Sequence, residues 1–136
     1  MKYLLMGILS LNGLLAYSQV YKYKAIDSRL EEYNQQGKDT STRDWEESGI
    51  LVVVDLTNEK IKTYGEAPAD FDLIHQKNRF TDIQGNETVV FSAVDTKGKK
   101  CEIEIIAFKD KEAVNFLNLV IRYSKMALIL RLKKDE

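Results

Sequence analysis

The side chains able to do chemistry are few and scattered. The sequence holds one histidine, His75, and one cysteine, Cys101. A Ser-His-Asp arrangement would have to use His75 as its base, and a histidine-based metal site would lack a second imidazole. Strand alternation places His75 on a face with Phe71 and Leu73, and Asp72 on the opposite face, so the neighbouring acid points away. Cys101 shares a face with Ile103 and Ile105, which suits a small buried hydrophobe better than an accessible nucleophile. The sequence contains no HExxH, no glycine-rich phosphate loop and no GxSxG. These observations point to no catalytic residues, no metal and no cofactor.

Carboxylates offer the remaining route to acid–base or cation chemistry. Glu102 and Glu104 lie two apart on one strand face, which sets them roughly 7 Å apart. That approaches the spacing of glycosidase acid pairs. Lysines 99, 100 and 109 flank them, however, and the pair is expected to keep an outer face solvated or to line a polar interior. Asp82-Ile83-Gln84-Gly85-Asn86-Glu87 sets oxygen donors around a glycine but lacks the calcium-loop spacing and reads as a turn. The aromatic residues are numerous, and most are expected in the core. Tyr21, Tyr23 and Tyr64 alternate with lysines, and together with Trp45 they are the candidate ligand-binding residues.

The elements that must position these groups can be read from periodicity. Residues 1–18 form a separate unit: Lys2, then an uncharged run from Tyr3 to Tyr17, then Ala16-Tyr17-Ser18 with small residues at both cleavage positions. That is the pattern of a secretory signal peptide cleaved after Ser18, leaving no transmembrane anchor. Gln19 stands where a lipoprotein would need cysteine. Cleavage leaves residues 19–136 as one β domain.

Within that domain most segments alternate with period two. Val20 to Ile26 places Tyr21, Tyr23 and Ala25 on one side. Asp27 to Ser48 is polar; Ser28-Arg29-Leu30-Glu31 has capping-box spacing, and Gly37 could end a two-turn helix. Trp45 is expected to enter the core beside the next strand. Ile50 to Leu56 is a continuous apolar run that predicts burial on both faces. Thr57-Asn58 predicts a hairpin into Glu59–Tyr64. Further strands are expected over Asp70–Gln76, Phe80–Ile83, Thr88–Asp95, Lys100–Phe108, Leu117–Tyr123 and Met126–Leu132, with a short helix over Asp110–Phe116.

The predicted fold is mainly β: an antiparallel meander of about eight strands forming a small barrel or curved sheet, with one or two short helices. At 44% hydrophobic residues the chain is too apolar to be disordered, and a net charge of −1 is too balanced for a nucleic-acid binder. The stretch from Trp45 through ILVVVDL (Ile50–Leu56) to KIKTY (Lys60–Tyr64), with VDTKGKKCEIEI (Val94–Ile105), resembles short exported proteins of Gram-negative bacteria. The resemblance covers about half of the mature chain. It implies export and a β fold and brings no catalytic residues.

The expected function is therefore an exported, non-catalytic β domain, periplasmic or secreted, that binds a small apolar ligand or an envelope protein partner. The alternatives are a structural envelope-associated protein, or a hydrolase or metal-dependent protein built on His75 or the carboxylates. The leader has a direct check. Intact-mass measurement of protein isolated from the source cells should show a chain beginning at Gln19, and retention of Met1 would refute cleavage.

Overall fold

The computed structural model describes residues 20–34, 36, 39–112 and 115–135; the leader lies outside the described residues. Ten strands occur in this order: β1 (Val20–Tyr33), β2 (Asp39–Thr42), β3 (Glu46–Glu47), β4 (Leu51–Asp55), β5 (Lys60–Tyr64), β6 (Ala69–Thr81), β7 (Glu87–Val94), β8 (Lys100–Ala107), β9 (Phe116–Arg122) and β10 (Met126–Lys134). From β4 to β10 each strand pairs antiparallel with the next in sequence, and β1 joins both β4 and β10. The result is a closed antiparallel barrel of eight strands, in keeping with the hairpin spacing of the sequence. β3 and β2 lie outside the eight, continuing along the edge of β1 beyond β4.

The interior obeys the alternation. Tyr23, Val52, Ile61, Phe91, Ile103, Ile105, Leu119 and Leu130 are all buried to within 1%. The outer face of β4 is half-buried or exposed, so Ile50–Leu56 does not bury both faces as its composition suggested: Val52, Val54 and Leu56 point inward while Leu51 stays exposed; on other strands the outward Thr88, Val120 and Ala127 are buried. No second layer covers the β4 wall among the described residues, so its outer apolar groups remain wet.

Neither expected helix forms among the described residues. The capping-box segment instead extends β1 to Tyr33. A bulge between Ala25 and Asp27 leaves Ile26 unpaired and reverses the facing of the residues beyond it. Before it, Tyr21, Tyr23 and Ala25 face inward. After it, Ser28 and Leu30 oppose the inward Leu130 and Leu128, while Asp27, Arg29 and Glu31 face out. A helix here would leave the β10 backbone from Met126 to Arg131 without its ladder partners, which outweighs a local capping preference. Lys109, Asp110 and Asn115 lie in turns, and the Phe116 amide at the start of β9 donates to the Glu112 carbonyl at 3.0 Å; Ala113 and Val114 lie outside the described residues.

β6 also departs from expectation. It is one strand over Ala69–Thr81 rather than two, with bulges at Ile74 and Lys77. The first bulge turns His75 outward, opposite Ser92, rather than onto the face of Phe71 and Leu73. β5 pairs with β6 only as far as Asp72, so among the described residues the later part of β6 has one edge without a strand partner, which the bulges twist away. Its hairpin to β7 carries Ile83 fully exposed at the tip.

The core makes a quantitative prediction. Phe91 has no exposed surface, so Phe91→Ala should destabilise the barrel by about 3–5 kcal/mol in urea denaturation. Phe80→Ala, on an exposed ring in β6, should change stability by less than about 0.5 kcal/mol.

Candidate functional site

At one end of the barrel the packing stops short of the rim. There the ends of β5 and β9 and the starts of β4, β6 and β10 surround a cup of about 820 Å³. Small-molecule sites commonly enclose about 300–1,000 Å³. Ile50, Phe71, Ile121, Leu128 and Leu130 supply an apolar wall and base, with Met126 and Tyr123 higher up. Glu46, Glu47, Ser48 and Gly49 form one side of the mouth, and Thr63, Gly65, Glu66 and Ala67 another. The wall consists of ordinary inward-facing strand positions, open here because no described side chain from another layer reaches down between them.

Tyr123 links the cup to the core. Its hydroxyl donates to Asp95 Oδ2 at 2.7 Å, and Asp95 Oδ1 accepts the amides of Lys97 and Lys99, each at 2.9 Å. The turn that Gly98 completes at φ 79° thereby fixes the orientation of one cup wall. The Tyr123 hydrogen bond, reinforced by the Lys99 and Lys97 amides, lowers the pKa of Asp95. Burial, followed by the Asp95 hydrogen bond, raises the pKa of Tyr123. Cys101 lies beside this pair with 7% of its surface exposed, and burial followed by the Asp95 charge pushes its thiol up to about 11.

The four aromatic residues expected to bind a ligand do not converge on the cup. Tyr21 and Tyr23 pack in the core opposite Val54 and Val52, where burial raises both hydroxyl pKa values. Tyr64 is exposed and opposes Leu51. Trp45 does not enter the core: it lies on the outside against the Arg131 guanidinium, 3.8 Å from the ring centroid, with Arg29 at 5.8 Å. Arg131 is held in turn by both carboxylate oxygens of Asp27, with Nε to Oδ1 at 2.6 Å. Trp45 thus contributes indirectly, since the next two residues, Glu46 and Glu47, pair with β1 and edge the cup. The cup residues lie on strand faces that alternation identifies. Which of them reach an open end is a matter of cross-strand register, a signal that residue order does not carry.

The outer face gathers the reactive side chains. The Ser92 hydroxyl and His75 Nδ1 lie 2.7 Å apart. A triad would need a carboxylate on the other ring nitrogen, and among the described residues none bonds to His75. Glu102 is engaged by Lys77, and Glu104 accepts from Arg122 Nε at 2.9 Å. Arg122 also reaches the Tyr33 hydroxyl at 2.5 Å, and that hydroxyl donates to Glu31 at 2.8 Å. This is a ladder of paired charges on the outer face, as expected for Glu102 and Glu104, and Tyr33, Lys77, Ser92, Glu102 and Arg122 border a groove of about 550 Å³ there. In the Asp82–Glu87 turn, Asp82 Oδ1 accepts the Asn86 amide and Asn86 Oδ1 accepts the Lys109 amide. Both oxygens are thus engaged within the turn and its neighbour.

The fold and this mouth define a small closed antiparallel barrel with an apolar cup at one end. No family model, curated protein or solved structure matches the chain.

The buried thiol provides a check on this end of the barrel. Its pKa rises from 9.0 to about 11, so at pH 8 the thiolate fraction falls about 100-fold, and Cys101 should react with a disulfide reagent correspondingly more slowly folded than unfolded. Because the folded pKa is the higher one, its contribution to stability is complete below pH 9.0 and is lost as pH rises toward about 11. Denaturant midpoints measured across that window should fall, and Cys101→Ala should reduce the slope.

Proposed function

We propose that this protein is an exported, non-catalytic binding barrel that holds a small apolar molecule in its open end. The observation that carries this reading is the cup of about 820 Å³, walled by Ile50, Phe71, Ile121, Leu128 and Leu130, in a barrel otherwise filled by side chains. Phe71, Ile121 and Leu130 are buried, so the open apolar surface lies mainly on the half-buried Ile50 and Leu128, and covering it favours a ligand at roughly 25 cal/mol for each Å². Thr63 adds a hydroxyl at the mouth, where it can orient a guest, while the Tyr123 hydroxyl is held by Asp95. The secretory pattern of residues 1–18 and the resemblance to exported proteins support an activity outside the cytoplasm.

A neutral apolar fluorophore such as N-phenyl-1-naphthylamine tests the reading. It should bind with one-to-one stoichiometry and brighten on entering the cup. Leu128→Trp, which fills the cup, should abolish binding while leaving the far-ultraviolet circular dichroism unchanged. Tyr64→Ala, on the outer wall, should leave the affinity unaltered. Undiminished binding by a folded Leu128→Trp protein would refute the assignment.

A further inference from the structure

The cup has a second property that its apolar wall does not require. Among the described residues lining it are the carboxylates Glu46 and Glu66, and no lysine or arginine. Glu47 also edges the cup, but it opposes the outward Asp27 and borders an outer groove with Lys24, Lys133 and Lys134. Neither Glu46 nor Glu66 takes part in an ion pair among the described residues, although carboxylates elsewhere on the barrel, including Asp27, Glu102 and Glu104, are paired. Lys99 lies 5.2 Å from the centre of the Tyr123 ring but does not line the cup. The mouth therefore presents one sign of charge above an apolar base. Low-dielectric walls concentrate such a field toward the opening.

From this juxtaposition we infer that the cup's ligand is a small cationic amphiphile: an apolar body seated on Phe71, Ile121 and Leu128, with an ammonium head between Glu46 and Glu66. The inference rests on the cup being a ligand site. The two contributions are physically separable. Burial of the apolar body gives affinity whatever the head group. The rim discriminates between heads: an ammonium is attracted by the two unpaired carboxylates, a neutral head is not, and an anionic head is repelled. Each exposed pair contributes modestly, so the rim as a whole should favour the cation about tenfold over a neutral head of equal chain length. Screening should reduce that preference as salt increases, because the Debye length shrinks from about 10 Å at 0.1 M to about 3 Å at 1 M.

The test compares decyltrimethylammonium, decanol and decanoate, each below its micelle concentration, by isothermal titration calorimetry on the purified protein. The expected affinity order is ammonium, then alcohol, then carboxylate, with the spread narrowing in high salt. The double variant Glu46→Gln, Glu66→Gln should bind decanol as before and lose the preference for ammonium. Decanol or decanoate binding as tightly as the ammonium would overturn the cationic assignment while leaving the apolar cup intact. A cation preference retained by the double variant would also overturn it, by placing recognition elsewhere. Failure of all three to bind would overturn this inference and the binding function together.

Discussion

The pairing of β1 with β10 is the constraint on which the rest of this structure depends. Seven strands from β4 to β10 form a simple meander, and without β1 such a sheet would end in two open edges. The first strand serves both edges at once, with β4 along its early part and β10 from Tyr23 to Glu32. A strand that long cannot follow a tightly curved wall with a regular pleat. The bulge at Ile26 supplies the bend, and by reversing the facing it also brings Leu30 into line with Leu128 above the core. The charged residues that would have made a polar loop or helix become the outer face of the same strand. One of them, Asp27, then fixes Arg131 for the stack on Trp45.

Closure explains why the interior changes character along its axis. Around Tyr23, Phe91 and Ile103 the inward side chains meet across a narrow barrel and exclude solvent. At the far end, Arg79 and Glu87 form an ion pair on inward positions of the β6–β7 hairpin. At the mouth, neither a packed side chain nor an ion pair among the described residues fills the space between Phe71 and Leu128. The Tyr123–Asp95 hydrogen bond stiffens that mouth without occupying it. Apolar area at the base and charge around the opening are thereby separated in space.

Much of this was legible from residue order. The period-two segments, the turns at Thr57-Asn58 and Asp95–Gly98, the inward facing of Cys101 and the solvated pair Glu102 and Glu104 all depend on local pattern and appear in the barrel as expected. Three features were hidden because they depend on partners distant in the chain. The capping-box residues after Ser28 became strand because β10 needed a ladder partner. His75 changed faces because of a bulge at Ile74 that no glycine or proline marks. Trp45 found Arg131, far along the sequence, in place of the core. The cup was illegible for a related reason: Phe71, Ile121 and Leu128 are indistinguishable from core residues until the register shows that they stand at an end.

The seam between β1 and β10 carries a consequence for when this protein can fold. The Asp135 amide donates to the Lys22 carbonyl at 3.0 Å, so the residue just after β10 lies beside the opening residues of β1. The barrel cannot close before β10 is made, because β10 is the last of its eight strands to be synthesised. Until it emerges, the early strands form at most an open sheet, and a pairing of such sequence separation is slow to form. A chain with this topology stays unfolded longest while it is still being made, the state that a secretion channel would require of the exported cargo proposed above. The late seam that completes the cup would then also act as a timing device, holding the chain threadable until β10 is available.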